Sequence, residues 1–206
     1  MIAIVDYGVG NIFSLTCSFQ QIGAEAVLTK DPAVLKKADK IVLPGVGAFE
    51  DAARKLRESG MQETVLEEAK AGKPLLGICL GMQLLFDKSY EYGEWPGLSL
   101  IPGNVVDMKP LLRDPSLKIP EIGWNALEFP ADKPVHPLFR YIKEGDYVYF
   151  VHSFCAVDCD DSVIARTDYS FPVTAAVAKD NVMGFQFHPE KSGNVGLALL
   201  RAFSEL

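Results

Sequence analysis

Residues 74–83 read Pro-Leu-Leu-Gly-Ile-Cys-Leu-Gly-Met-Gln, an apolar run that enters a Gly-x-Cys-x-Gly turn and continues as the start of a helix. The pattern is typical of a nucleophile elbow, in which the two glycines leave room for a sharp strand-to-helix turn. Such a turn projects its central side chain beyond the carboxyl end of the strand. We therefore expect Pro74–Ile78 to be a buried strand and Cys79 to face a crevice.

The same order of strand, turn and helix precedes this stretch. Apolar, β-branched runs alternate with helical segments, and three of the strands end in glycine-rich turns. The alternation predicts an α/β fold, an open, mostly parallel (flavodoxin-like) sheet flanked by helices. The elements expected before residue 74 are Ile2–Val5, a helix Ile12–Ile22 with Asn11 as its N-cap, Ala26–Thr29, Pro32–Ala38, Lys40–Leu43 and one long helix after Pro44–Gly47.

From about Gly97 the pattern changes to short extended pieces broken by proline and glycine. We expect an antiparallel C-terminal extension of the sheet here, and a final amphipathic helix, Val195–Phe203, packed on it. Because the sequence has no internal repeat, low-complexity tract or linker, residues 1–206 are expected to form one domain. The clearest C-terminal strands are Tyr147–Val157, Ser162–Thr167, Val173–Ala178 and Val182–Phe187.

The composition argues against several classes of function. Of the 206 residues, 49% are hydrophobic and 23% are charged, which is typical of a chain with a folded core. The formal net charge of −7 would repel a nucleic-acid backbone, so no nucleic-acid partner is expected. The longest nearly apolar stretch, Leu75–Phe86, falls well short of the roughly 20 residues that cross a bilayer. Four cysteines (Cys17, Cys79, Cys155 and Cys159) without a leader pattern predict a reducing compartment, the cytoplasm.

Cys79 is the candidate nucleophile. At a helix N-terminus, unpaired amides and the helix dipole favour an anion, here the thiolate. The pentapeptide alone is equally compatible with a buried structural cysteine. For acyl transfer, the candidate oxyanion donors are the backbone N–H groups of Leu80 and Val46. Because Gly45 and Gly47 flank Val46, its peptide could switch between orientations that complete or break the oxyanion hole.

Three histidines could serve as the base. His136 lies in a Pro-bracketed loop and fits a surface or capping residue, and His152 lies within an apolar strand, where a hydrogen-bonded structural histidine is expected. His188 ends a strand and is followed by a Pro-Glu pair. Because residues i and i+2 of an extended chain point the same way, Glu190 can fix the tautomer of this imidazole. The predicted triad is Cys79, His188 and Glu190, with a solvent-exposed His-Pro-Glu turn as the alternative.

No cofactor or metal site is expected. Gly8-Val-Gly10 follows a strand, but the dinucleotide fingerprint requires a further glycine at position 13, which is Phe13. His152, Cys155 and Cys159 lack a fourth ligand with the spacing of a zinc site.

Three motifs occur together: residues 77–83 (Gly-Ile-Cys-Leu-Gly-Met-Gln), 44–49 (Pro-Gly-Val-Gly-Ala-Phe) and 188–192 (His-Pro-Glu-Lys-Ser). In this combination the sequence resembles the triad (class I) glutamine amidotransferases. Within that family, residues 6–11, 123–125 and 149–153 look like the glutaminase subunits of imidazole glycerol phosphate synthase, which act in histidine biosynthesis.

The resemblance implies an enzyme that hydrolyses L-glutamine to L-glutamate and ammonia. Cys79 would attack the side-chain amide, and His188, oriented by Glu190, would protonate the leaving ammonia and then activate water. Gln83 and Glu91 would hold the substrate, Glu91 facing its α-ammonium group. By the same resemblance, the remaining pocket residues are Gly45, Gly47, Ser153 and Phe154, the last standing where the family has tyrosine.

The resemblance also implies a partner. A separate (βα)8 synthase/cyclase chain would take the ammonia and make imidazole glycerol phosphate and AICAR, the two chains forming a heterodimer. Lys191, Tyr149 and Trp124 are the interface candidates. Because free glutaminase activity would waste glutamine, the Gly45–Val46 peptide is expected to be the element that the partner biases.

Two alternatives stay open. The glutaminase of another pathway, or a cysteine hydrolase such as a peptidase or γ-glutamyl hydrolase, would share the elbow, and a hydrolase of this kind would differ at Gln83, Glu91 and Lys191. A non-catalytic, flavodoxin-like module would bind an anion in its glycine-rich turns and keep Cys79 as a structural residue.

Overall fold

The computed structural model describes residues 1–206. Its strands are β1 (Ile2–Val5), β2 (Ala26–Thr29), β3 (Lys40–Gly45), β4 (Leu75–Cys79), β5 (Lys88–Ser89), β6 (Trp95–Pro96), β7 (Asn104–Asp107), β8 (Glu121–Ala126), β9 (Tyr147–His152), β10 (Phe154–Val157), β11 (Val163–Asp168), β12 (Pro172–Lys179) and β13 (Val182–Phe185). The main sheet has the order β11-β12-β13-β4-β3-β1-β2. The five strands from β13 to β2 are parallel, and β12 and β11 extend the sheet antiparallel. The predicted fold class is confirmed.

Helices cover both faces of the main sheet, as a largely parallel sheet requires. Successive residues of β4 enter different cores. Leu75 packs in the cluster that contains Phe49, and Leu76 packs in the cluster that contains Phe19 and Phe203. The helices are α1 (Ile12–Gln21), α2 (Pro32–Lys37), α3 (Phe49–Glu58), α4 (Met61–Lys70), α5 (Leu80–Gln83) and α6 (Gly193–Ser204). None of them has the length and apolar character of a membrane span.

The chain between α5 and β11 adds two smaller sheets. β10, β7, β5 and β6 form one, and β8 pairs with β9 as an antiparallel ribbon. The single strand expected over Tyr147–Val157 is therefore wrong, because the chain breaks at Ser153 and its two halves pair with different partners. Both halves are apolar, and apolar periodicity does not reveal a change of pairing partner.

The helix expected after Pro44–Gly47 also differs. β3 continues through Gly45, and the helical segment is divided into α3 and α4 at Gly60, whose φ is +72°. A glycine in this left-handed conformation is a common way to end a helix. After the elbow, α5 contains only 4 residues. The other elements predicted from the sequence agree with the structure to within about two residues at each end.

Candidate active site

Cys79 lies at the carboxyl end of β4 and immediately precedes α5. Its φ of +54° is a conformation that non-glycine residues rarely adopt, and its side chain is 8% exposed. The backbone strain points the sulfur away from the sheet, as an elbow does. The structure thus places Cys79 at the edge where the parallel strands end.

The two glycines of the elbow are required by close backbone contacts. A Cβ atom on Gly77 would lie 2.6 Å from the carbonyl oxygen of Gly81, and a Cβ on Gly81 would lie 1.9 Å from the carbonyl oxygen of Leu43. Neither position has space for a methyl group. The spacing Gly-x-Cys-x-Gly is therefore what allows α5 to start against β3.

His188 follows β13, the strand beside β4, and is almost fully buried. Its backbone N–H donates to the carbonyl of Tyr149, and its Nδ1 lies 2.8 Å from Oε1 of Glu190, which is itself buried. The contact is the predicted one, but its backbone differs, because Pro189–Lys191 form a 3-10 turn and not an extended chain. Because Glu190 engages Nδ1, the other ring nitrogen is left to face the pocket.

The His188 ring is held in its protonated form. Burial lowers the pKa of His188, but hydrogen bonding to Cys79 and to Glu190, together with their negative charges, outweighs burial and raises the pKa to about 9. A pKa raised in this way favours the imidazolium form at neutral pH, in the pocket that Cys79 also lines. An adjacent cation favours the thiolate, which is the nucleophilic form of cysteine.

Asn11 has a role that the sequence did not reveal. It was expected to cap α1, but its side chain makes no capping hydrogen bond. Instead, its Nδ2 donates to Oε1 of Glu190 at 3.4 Å. Asn11 occupies the N-cap position of α1 as predicted, but a tertiary contact across 179 residues takes its side-chain amide, which supports the carboxylate of the predicted triad.

A pocket of about 350 Å³ opens over Cys79 and His188. This volume is at the small end of the range for ligand sites. Of the predicted site residues, Gly45 is buried under the pocket floor, where its missing side chain admits Leu80 and Gly81, and Glu190 stands behind His188. The predicted residues that line the pocket are Val46, Gly47, Cys79, Leu80, Gln83, Glu91, Ser153, Phe154, His188 and Lys191. Tyr92, Pro120, Val151 and His152 complete the lining.

Two predicted substrate-binding side chains are already held by protein contacts. The amide nitrogen of Gln83 donates to the Phe154 carbonyl at 3.1 Å. One carboxylate oxygen of Glu91 accepts from the N–H of Phe49, the first residue of α3, at 2.5 Å. Burial raises the pKa of Glu91, and the Phe49 hydrogen bond opposes that rise. Glu91 is the half-buried acidic group of the pocket wall.

The segment Pro44–Gly47, which carries the predicted oxyanion donor, starts beside the elbow. Gly45 pairs with Cys79 in the register between β3 and β4. The buried hydroxyl of Tyr7 donates to the Pro44 carbonyl at 2.6 Å. Gly47 has a φ of +97°, and Val46 is 39% exposed at the pocket wall. The segment is thus anchored at Pro44 and exposed at Val46.

The other two histidines are structural, as expected. His136 accepts the Leu138 N–H through Nδ1 and caps a short turn. His152 is buried, with Nδ1 2.9 Å from the Phe154 carbonyl and Nε2 3.1 Å from Glu121. His152 also contributes to the pocket wall, which its position in an apolar strand did not indicate.

The three interface candidates are neighbours beside the pocket. Trp124 and Tyr149 face each other across the β8–β9 ribbon with ring centroids 6.0 Å apart, and the Lys191 ammonium lies 5.6 Å from the Tyr149 ring centroid. Trp124 is 53% exposed, and Ile122 on the same strand is exposed as well. Exposed aromatic surface of this kind is typical of protein-binding sites.

Gln186 is a further residue beside Cys79 that the sequence did not reveal. It is completely buried, and its side-chain Nε2 lies 3.8 Å from the sulfur of Cys79. The available signal was a single amide within the apolar run Met183–Phe187. A buried polar side chain must find a partner, and here one partner is the candidate nucleophile.

At the level of class, a cysteine on a strained elbow beside a histidine–carboxylate pair is typical of α/β enzymes that act through a thiol nucleophile. Comparison with known proteins agrees and is more specific. Residues 3–204 match the family model described as glutamine amidotransferase class-I. The chain is 48% identical over 207 residues to the imidazole glycerol phosphate synthase subunit HisH of Wolinella succinogenes, with 100% of both chains covered. It is 50% identical to the HisH subunit of Sulfurimonas denitrificans, covering 100% of this chain and 98% of the relative.

A solved structure described as a crystal structure of glutamine amidotransferase has the same fold, with a TM-score of 0.75, 18% identity and complete coverage of both chains. The chain belongs to the class-I glutamine amidotransferases, and within them to the family of HisH subunits.

Proposed function

We propose that this protein hydrolyses L-glutamine to L-glutamate and ammonia, with Cys79 as nucleophile, His188 as acid and base, and Glu190 as the group that orients His188. The observation that carries the proposal is the buried contact of His188 with Glu190, at the pocket that Cys79 and His188 both line. The relatives of known name are subunits of imidazole glycerol phosphate synthase, which places the reaction in histidine biosynthesis.

In the first half of the reaction, the Cys79 thiolate attacks the side-chain amide carbon of glutamine. The negative charge that develops on the amide oxygen is stabilised by hydrogen bonds that the backbone N–H groups of Leu80 and Val46 donate to it. His188 donates its proton to the amide nitrogen, the C–N bond breaks and ammonia leaves. A γ-glutamyl thioester on Cys79 remains.

In the second half, neutral His188 takes a proton from water, and the resulting hydroxide attacks the thioester carbon. The C–S bond breaks, glutamate leaves and the thiolate is restored beside the imidazolium. Glu190 accepts a hydrogen bond from Nδ1, so that the nitrogen facing the pocket is the one that exchanges protons.

Substrate binding follows from the pocket wall. The Glu91 carboxylate pairs with the α-ammonium group of glutamine, because it is the half-buried acid of the wall. Gln83 presents its amide oxygen, since its nitrogen is taken by the Phe154 carbonyl. The backbone of Gly47 and Ser153 completes the pocket over the buried Gly45. Phe154 replaces the expected tyrosine and packs edge-on against the Tyr92 ring, with 5.9 Å between centroids.

We further propose that a synthase/cyclase chain of (βα)8 fold binds at Trp124, Tyr149 and Lys191, in a heterodimer that receives the ammonia. Ring contacts link these side chains to one another, and Lys191 also lines the pocket. A partner at this position could bias the Val46 peptide between its two orientations, which would couple ammonia release to demand.

We also propose that the chain forms one domain and acts in a reducing compartment. The family model covers residues 3–204, and both cores lie on the same sheet. All four cysteines are free, which fits a cytoplasmic enzyme.

The test is hydrolysis of L-glutamine by the chain in complex with its synthase subunit, measured as released ammonia and glutamate. Cys79→Ala should abolish both products and leave the complex intact, because it removes a single sulfur atom at a residue that lines the pocket. Cys17→Ala, at an exposed cysteine, is the matched control and should keep normal turnover. Turnover by Cys79→Ala at the wild-type rate would exclude the proposed mechanism.

A further inference from the structure

A buried amide faces the nucleophile from the side of the sheet. Gln186 follows β13, has no exposed surface, and its Nε2 lies 3.8 Å from the Cys79 sulfur. Its backbone N–H donates to the Ala175 carbonyl, so the main chain fixes the position of the side chain. The proposed reaction gives this residue no task.

The hydrogen-bond pattern decides which end of the Gln186 amide faces the sulfur. The Phe154 carbonyl can only accept, so the Gln83 side chain must present its NH2 group there, at 3.1 Å. The same NH2 group lies 3.0 Å from the Gln186 side chain, which must therefore present its oxygen to Gln83. Its own NH2 group is then directed at Cys79. The backbone carbonyl thus fixes the orientation of two amides in succession.

We propose that Gln186 is a further residue of the catalytic machinery, a neutral hydrogen-bond donor that stabilises the Cys79 thiolate and holds the sulfur in position. A donor to an ionised acceptor contributes more than one to a neutral acceptor, so the contact favours the thiolate over the thiol. This inference rests on the proposed function, in which Cys79 acts as the nucleophile.

The donor acts in both halves of the reaction. It stabilises the attacking thiolate beside His188, and it stabilises the thiolate that leaves when the thioester is hydrolysed. At that second moment His188 has just accepted a proton from water. Unlike His188, the Gln186 amide does not change its charge during the cycle, so its contribution is present at each step in which sulfur carries charge.

Two titratable groups interact with Cys79. Against the effect of burial, hydrogen bonding to Cys79 and the charge of Cys79 raise the pKa of His188, which lines the same pocket. Burial and the Cys79 charge raise the pKa of Tyr7, which keeps its hydroxyl neutral. The pH at which the thiolate–imidazolium pair forms is therefore the quantity that Gln186 should change.

The test is the rate of alkylation of Cys79 by iodoacetamide as a function of pH, followed on the peptide by mass spectrometry. Exposed Cys17 is an internal reference in the same molecule. Gln186→Met keeps the length of the side chain and removes the donor. In this variant the pH midpoint of Cys79 alkylation should rise by about one pH unit, and alkylation below that midpoint should be up to about tenfold slower. Thr174→Val is the matched control, since Thr174 is a buried polar residue whose hydroxyl donates to the Ala156 carbonyl. The alkylation midpoint of Cys79 in this variant should equal that of the wild type.

A second variant separates donation from packing. Gln186→Glu keeps the shape and the acceptor for Gln83, but it places an oxygen against the sulfur, so its midpoint should rise above that of Gln186→Met. With the synthase subunit and glutamine, both variants should lower kcat more than they raise KM. Equal midpoints in wild type, Gln186→Met and Gln186→Glu would overturn the proposal and leave Gln186 a packing residue.

The unmodified protein provides a further readout. The NMR resonances of the Gln186 side-chain NH2 should move with pH at the midpoint found by alkylation, and those of exposed Gln21 should not. If the chemical shifts of the Gln186 side-chain NH2 do not change at this midpoint, the proposal is overturned even if neither variant folds. Because alkylation reports the sulfur without glutamine, a failure of the proposed function, seen as normal turnover by Cys79→Ala, is distinguishable from a failure at Gln186.

Discussion

Replacing Glu190 by glutamine should separate the charge of the carboxylate from its shape. Glu190 and Cys79 together raise the pKa of His188 from its ordinary 6.5 to about 9, against the opposing effect of burial. At 1.36 kcal/mol per pKa unit, this net rise corresponds to about 3 kcal/mol in favour of the imidazolium. Glu190 is one of the two groups that raise this pKa against the effect of burial. Glu190→Gln removes its charge and should therefore lower the pKa of His188 by roughly one to two units.

The consequences for turnover and stability follow from the same contact. A neutral amide can offer either its oxygen or its NH2 group to Nδ1, so the productive tautomer is no longer enforced, and kcat should fall by roughly 10²–10⁴-fold. A raised histidine pKa stabilises the folded state below the unfolded value of about 6.5, and this stabilisation is lost as the pH rises through about 9. The stability difference between wild type and variant should therefore be largest below about pH 6.5 and shrink between there and about pH 9.

The assay is an NMR titration of the His188 imidazole nitrogens, combined with glutamine turnover in the complex with the synthase subunit and with urea unfolding at several pH values. Glu205→Gln is the matched control, because Glu205 is an exposed carboxylate paired with Arg201. It should leave the His188 titration and turnover unchanged. If His188 titrates at the same pH in Glu190→Gln as in the wild type, the electrostatic account of this pair is refuted.

Three further predictions concern the elbow, the substrate and the partner. Gly81→Ala would place a Cβ atom 1.9 Å from the Leu43 carbonyl oxygen and should lower the free energy of unfolding by about 3 kcal/mol or more, measured in urea. Gly72→Ala, with open space but a φ of +94°, should cost only about 1–2 kcal/mol, and equal losses would contradict the steric argument. Glu91→Gln should raise KM for glutamine by roughly 10–100-fold with a smaller change in kcat. In the wild type, KM should rise as falling pH protonates Glu91, whose pKa is raised by burial. A pH-independent KM would argue against the α-ammonium contact. Trp124→Ala should weaken binding of the synthase subunit by about 2–4 kcal/mol, measured by calorimetry. Alanine at a tyrosine remote from the pocket should not weaken binding. An unchanged affinity of Trp124→Ala for the synthase subunit would exclude this surface.

The elbow at Cys79 and the contact between His188 and Glu190 were predictable because their determinants are local. Two glycines around Cys79 specify the turn by spacing alone, and the backbone contacts of Gly77 and Gly81 explain why. The contact of His188 with Glu190 joins residues two apart, but a 3-10 turn over Pro189–Lys191 brings them together and not the extended chain that the sequence suggested. The parallel sheet followed from the repeated order of strand and helix.

The supporting shell of the site was not predictable in the same way. Asn11 reaches Glu190 across 179 residues, and the amides of Gln83 and Gln186 meet across 103. Such contacts depend on which strands become neighbours, and no local pattern encodes that choice. The break at Ser153 has the same origin, since β9 and β10 look continuous until their partners are known.

The central claim, that Cys79 carries the acyl group, can be tested directly. The complex with its synthase subunit would be mixed with glutamine, quenched in acid during turnover, and its peptides examined by mass spectrometry. The account predicts a γ-glutamyl group on the peptide that contains Cys79 and no such group in Cys79→Ala. A γ-glutamyl group on Cys17, Cys155 or Cys159, or undiminished ammonia release by Cys79→Ala, would contradict it.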